Sequence, residues 1–209
     1  MNEHSKIQLS SFEMDLVNNA DWILTKNAII QKAIQLLSGL QEKQQDYFKT
    51  SSPGLPEEVL KSTPKISKGE NYRGLPYLIL DFPRFFEQKN IFAIRTMFWW
   101  GNFFSITLHL SGRYQIMFAE KIILSLNLLK EKDFFICIHK EQWQHHFESD
   151  NYTVINKWDK NEFKNMINTG SFIKLASKIP LEKWDDAEEI LLQYFKQITE
   201  ALTGQFPRR

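Results

Sequence analysis

The sequence predicts an α+β fold: an antiparallel β-meander sheet of about five to six strands packed against several helices, with long helices near both ends. Three observations carry that expectation. Apolar residues recur at helical spacing through residues 25–48, and again in the stretch that ends at Gly204. Between them, from Tyr72 onward, the hydrophobic period falls to two, the signature of strands with one buried face.

Each element has its own reason. In the first helix Ala28, Ile29, Ala33, Ile34, Leu36, Leu37 and Leu40 form the stripe, and Thr25 can cap its start. Residues 15–23 precede it as a shorter turn or helix. Residues 50–74 turn polar around Pro53, Pro56 and Pro64 and read as a loop or flap on the body of the domain. Within them Pro56-Glu57-Glu58 has the chemistry of a short helix's first turn. Residues 75–82 form a strand closed off by Pro83, followed by strands over 91–100 and 103–110. Gly101-Asn102 joins these two as a two-residue hairpin loop, with Gly supplying the positive φ of a II′ turn.

A helix then covers residues 113–129, packed through Tyr114, Met117, Phe118, Ile122 and Leu126. A strand over 133–139, one or two helical turns over 141–147 and a short strand over 152–156 follow. Asp159 and Glu162 form a capping box for a helix reaching Ile167. Residues 172–177 are a last strand, stopped by Pro180. A second capping box, Asp185 with Glu188, opens the final helix, whose core face carries Ile190, Leu191, Tyr194, Phe195, Ile198 and Leu202. Gly204 ends it as a left-handed residue.

A two-residue loop fixes a register. Trp100 stands opposite Phe103, Arg95 opposite Leu108 and Ile94 opposite His109. One face then holds Arg95, Met97 and Trp99 with Phe104, Ile106, Leu108 and Leu110, a core face. The other holds Ile94, Thr96, Phe98 and Trp100 with Phe103, Ser105, Thr107 and His109. That second face mixes rings with hydroxyls and an imidazole, as a pocket wall does.

Composition bounds the function. The 209 residues suit one domain over 1–209, and 43% hydrophobic and 14% aromatic content supports a thick aromatic core. A net charge of +1 exerts no global pull on nucleic acid or anionic membrane. Residues 61–95 nevertheless carry seven basic against three acidic side chains, and 182–200 six acidic against two basic. Solvated faces explain both runs, and an anion-accepting face is the sharper reading of the first. Cys137 is the only cysteine, so no intramolecular disulfide forms, and with a polar N-terminal segment this points to the cytoplasm. Residues 91–110 hold thirteen apolar residues in twenty, but a membrane helix there would bury Arg95 and His109 in lipid, and a hairpin does not.

Among candidate site residues, Arg95 needs a partner wherever it is buried, because a guanidinium cannot be neutralised, and Asp81 on the preceding strand is the nearest carboxylate. His109 is a candidate acid or base without a recognisable partner. Cys137, His139, His145 and His146 superficially suggest zinc, but their spacings match no paired-ligand pattern, and Cys137 reads as a small core residue. Aromatic and basic residues interleave over 95–104 without a nucleic-acid-binding signature. Phosphate-cradling glycine loops and nucleophile elbows are missing, so no catalytic residue, metal or cofactor is assigned.

The stretch from residue 72, Tyr-Arg-Gly-Leu-Pro-Tyr-Leu-Ile-Leu-Asp-Phe-Pro and then Phe-Ala-Ile-Arg-Thr-Met-Phe-Trp-Trp-Gly-Asn-Phe-Phe-Ser, resembles a family of uncharacterised bacterial proteins. The resemblance implies a cytosolic bacterial origin and brings no activity with it. The expectation is a binding or interaction protein that takes a small anionic or aromatic ligand on one side of its sheet. Tyr72, Arg73, Thr96, Trp100, Ser105, Thr107 and His109 would line that side, supported by an Asp81–Arg95 ion pair. The alternatives are a small hydrolase or transferase using His109 or the His139, His145 and His146 cluster, and a protein-interaction module that forms a homo-oligomer.

Overall fold

The computed structural model describes residues 7–51 and 54–204. Seven strands form one sheet in the order β1-β2-β3-β4-β7-β5-β6, every neighbouring pair antiparallel. They are β1 (Lys65–Tyr72), β2 (Leu75–Phe86), β3 (Ile91–Trp99), β4 (Phe103–Ser111), β5 (Phe135–Cys137), β6 (Tyr152–Val154) and β7 (Phe172–Pro180). The first four are a meander, and β7 returns to lie between β4 and the short β5–β6 pair. The helices are α1 (Ser11–Asn18), α2 (Ala20–Ser51), α3 (Glu57–Leu60), α4 (Arg113–Leu124), α5 (Leu126–Glu131), α6 (Lys160–Thr169) and α7 (Ala187–Thr203). Fold class and the long helices near both ends are as the sequence predicts. Among the described residues no helix is long and apolar enough to cross a membrane.

Several local expectations are corrected. The polar loop ends at Lys65, where β1 begins as an edge strand. Its alternation is masked because most of its side chains meet water, and Lys65 and Lys68 suit an unpaired edge. β2 does not stop at Pro83 but continues to Phe86, with its pairing to β3 slipping between Asp81 and Arg84. A bulge tolerates a residue with no N–H to give. The helix expected over 113–129 breaks into α4 and α5 at Ser125, whose hydroxyl donates to the Lys121 carbonyl at 2.8 Å. Residues 141–147 form no helix. α7 starts from Asp186 without a side-chain cap, because a 3-10 turn over Leu181–Asp186 takes up Asp185.

The correction that matters most is the hairpin. Trp99, not Trp100, closes β3, and it pairs with Phe103 across Trp100-Gly101-Asn102. Gly101 sits at φ 69° and the Asn102 N–H donates to the Trp99 carbonyl at 3.1 Å. A loop one residue longer shifts the pairing by one, and side chains that alternate with period two then change partners across faces. Arg95 now faces Thr107, and Ala93 faces His109.

One face of the sheet is the core. Leu80, Ile94, Phe98, Ile106, Leu108 and Leu175 pack with Leu37 and Leu40 of α2, Phe118 and Ile122 of α4, and Leu191 and Phe195 of α7 in a single apolar cluster. Each such side chain contributes about 1.5–3 kcal/mol on burial. Thr96 and Trp100 belong to this side. Thr96 is buried with its hydroxyl unpartnered among the described residues, and Trp100 packs half-buried against the core.

Candidate polar site on the open face of the sheet

Moving one residue along each strand reverses the face. Asp81, Arg95, Ser105, Thr107, His109 and Lys174 therefore project from the side opposite the helices, beside an aromatic patch of Trp99, Phe103 and Tyr72. This side is covered by residues 138–151, which join β5 to β6 without helix or strand. The cover is pinned by Phe147, stacked on Tyr152 at 4.6 Å and edge-on to Phe103 and Phe135 at 5.1 Å. It is also pinned by Tyr72, whose hydroxyl oxygen accepts the backbone N–H of His145 at 2.7 Å and of His146 at 3.1 Å.

Beneath the cover lies a buried polar layer. Arg95 and Asp81 form a two-pronged ion pair, Nε to Oδ1 at 2.7 Å and Nη2 to Oδ2 at 2.9 Å. Lys174 is 2% exposed; its ammonium donates to the Gln144 carbonyl and sits 5.5 Å from the centre of the Tyr152 ring. No carboxylate pairs with it among the described residues, and burial pulls its pKa down to about 8. The Tyr152 hydroxyl is turned toward Thr107 but lacks a partner at hydrogen-bonding geometry among the described residues. Burial pushes its pKa up, and does the same to the Cys137 thiol, which donates to Asn151 Oδ1 at 3.4 Å.

His109 is 4% exposed, and its Nε2 lies 2.9 Å from Gln142 Oε1. Burial depresses its pKa to about 4, so the ring is neutral near pH 7. Burial, reinforced by Lys174 and Arg95, also lowers the pKa of His145 well below the ordinary histidine value. Trp143 and Phe172 meet the His109 ring edge-on, at 5.2 and 6.0 Å. The same two rings help line a cleft of about 460 Å³, together with Lys89, Ser111, Lys140 and Gln142. This cleft opens beside His109, and its lining carries Lys89 and Lys140 against one carboxylate, Glu141.

His146, Glu148 and Asp150 bring a nitrogen and two carboxylates within 4.8 Å of one another. Hydrogen-bond counting explains them without a cation. The Tyr72 oxygen already takes two amide protons, and its own proton has two acceptors in reach, His146 Nδ1 at 3.1 Å and Gln144 Oε1 at 3.4 Å. His146 Nε2 lies 3.4 Å from Asp150 Oδ2, while Glu148 is held by Arg73 at 2.9 Å. The four residues read earlier as a superficial zinc pattern are dispersed: His139 Nδ1 accepts from the Glu141 N–H, and Cys137 faces Asn151.

Of the residues singled out from sequence, the fold brings Tyr72, Ser105, Thr107, His109, Asp81 and Arg95 to one side. Arg73 lies at the rim, in the β1–β2 turn, while Thr96 and Trp100 lie on the helix side. Lys174, Tyr152 and Gln142 were missed. Lys174 had a signal, a lysine between Ile173 and Leu175 in a strand buried on both faces. Gln142 had none, because only the path of the cover places it, while Tyr152 opens β6 and is placed by the pairing that sets it opposite Cys137. No family model matches the chain, and no match was found among curated proteins or solved structures.

Proposed function

We propose that the protein binds a small anionic ligand on this polar face, admitted through the cleft beside His109. The observation that carries the reading is Lys174, a buried ammonium with a carbonyl and a ring for company but no counter-charge among the described residues. A cation in that setting lacks the opposite charge that normally offsets desolvation. A carboxylate or phosphate oxygen would supply it, and the unspent Tyr152 hydroxyl would donate to the same group. Lys89 and Lys140 outnumber Glu141 in the cleft lining and favour approach of an anion, and about 460 Å³ of space suits a small molecule. A carboxylate at His109 would have favoured acid–base catalysis; the amide of Gln142 stands there instead.

The test is titration of the purified protein with inorganic phosphate and with small mono- and dicarboxylates, followed by calorimetry and by Tm. Saturable binding that raises Tm is expected for at least one of them. The binding is abolished in Lys174→Met, kept in the exposed-site control Lys65→Met, and weakened as pH rises through about 8, where Lys174 loses its proton. Absence of saturable binding by every anion, or full affinity in Lys174→Met, rejects the proposal.

A further inference from the structure

The polar layer holds one more basic group than a single counter-charge needs. His109 and Lys174 stand directly opposite each other on β4 and β7, so their side chains leave the sheet on the same face with Cβ atoms about 5 Å apart. Asp81 is the one buried carboxylate among the described residues, and Arg95 takes both of its oxygens. Facing His109 are the Lys174 ammonium from β7, the Arg95 guanidinium from β3, and Gln142, Trp143 and His145 of the cover. The Phe172 ring closes the remaining side.

The imidazole has a nitrogen free to take a proton. Gln142 Oε1 can only accept, so His109 Nε2 carries the hydrogen of that 2.9 Å bond and Nδ1 keeps its lone pair. Nδ1 has no hydrogen-bond partner among the described residues. Burial first, then the charges of Lys174 and Arg95, keep that lone pair unprotonated near neutral pH. An anion beside Lys174 removes the repulsion from the ammonium, and a second negative charge draws a proton toward Nδ1. Proton and anion then favour each other by the same factor, because linkage is reciprocal.

We propose that the site takes a doubly charged anion, and that His109 takes up a proton from solvent at Nδ1 as the anion binds. Lys174 and the imidazolium then match one negative charge each. Anion binding at Lys174, proposed above, is the premise; the charge of the ligand and the residue that answers it are new. A monoanion is the poorer occupant, because Lys174 alone balances it and the ring opposite has no charge to meet.

The experiment is calorimetry of the parent protein with sodium sulfate, which stays doubly charged throughout, and with sodium nitrate at matched ionic strength. Both are titrated at pH 7.5 and pH 5.5, in two buffers of different ionisation heat. If the bound anion restores the ordinary histidine pKa of 6.5, sulfate affinity rises about tenfold from the higher pH to the lower. Close to one proton should enter with each sulfate at pH 5.5. His109→Gln, its fold checked by circular dichroism, should lose both the rise and the uptake; the uptake measured in the parent needs no variant. Saturable sulfate binding without proton uptake overturns the proposal and leaves the anion site standing. So does uptake that persists in His109→Gln, or nitrate bound as tightly as sulfate at pH 5.5. Sulfate that binds at neither pH overturns it too, and the phosphate and carboxylate titrations then decide whether an anion site exists.

Discussion

On the helix side of the sheet Leu80, Ile94, Ile106 and Leu108 are sealed by α2, α4 and α7, with no buried charge among them. One residue further along each strand, Asp81, Thr107 and His109 are buried and Arg95 is mostly so, but under a segment without regular structure. The first side is built from rigid elements that meet apolar faces, and its burial is a direct gain in stability. The second buries two full charges of opposite sign, an extra lysine and neutral imidazoles, each at a desolvation cost. Sequences keep such costly layers where something other than stability is at stake.

Three substitutions or conditions sharpen this contrast. Phe92 on the helix side is fully buried and meets Tyr114 and Phe118 edge-on at 5.6 Å. Phe92→Ala should cost about 4 kcal/mol in urea unfolding, through lost transfer energy plus the cavity left behind. A cost under about 1 kcal/mol would mean that this side is not the tightly packed one.

Acid should act on the other side. Below the ordinary histidine pKa of 6.5 the unfolded chain takes up a proton that His109 refuses until about 4. The unfolded state then binds more protons, so stability falls as pH drops across that window, by about 3 kcal/mol when it is complete. Urea midpoints at descending pH should show the fall, and His109→Gln should flatten it, with His145 leaving a residual slope. An identical slope in both proteins would place the acid sensitivity elsewhere.

The smallest effect has the opposite sign. Lys174→Met should stabilise the protein by about 2 kcal/mol at pH 7, because it removes a charge buried without a counter-ion among the described residues. In the parent the cost is fully present below the folded pKa of about 8 and is relieved as pH rises from there toward 10.5. The gain should therefore fade at pH 10. Destabilisation at pH 7 would show that Lys174 is a structural tether of the cover.

The fold class was legible because long stripes and strict alternation are local signals. The first and last helices, the capping box at Asp159 and Glu162, and the left-handed stop at Gly204, φ 72°, could each be read from a few adjacent residues. The capping box at Ser10 and Glu13 was equally readable and was overlooked. The site was less legible, because it depends on a loop length. Reading Gly101-Asn102 as the whole turn put Arg95 and His109 on opposite faces; including Trp100 puts them on the same one. Arg95 could be matched to Asp81 from sequence because adjacent strands limit the choice. Gln142 and Gln144 could not be placed, since residues 138–151 follow no period that fixes their path.

Tyr72 belongs to the outermost strand, yet its oxygen clasps the two amides at the centre of the segment that roofs the polar layer. The margin of the sheet and the roof are thus mechanically one piece. A displacement of β1 is passed to His145 and His146 through that oxygen as directly as it is to the apolar core through Ile66.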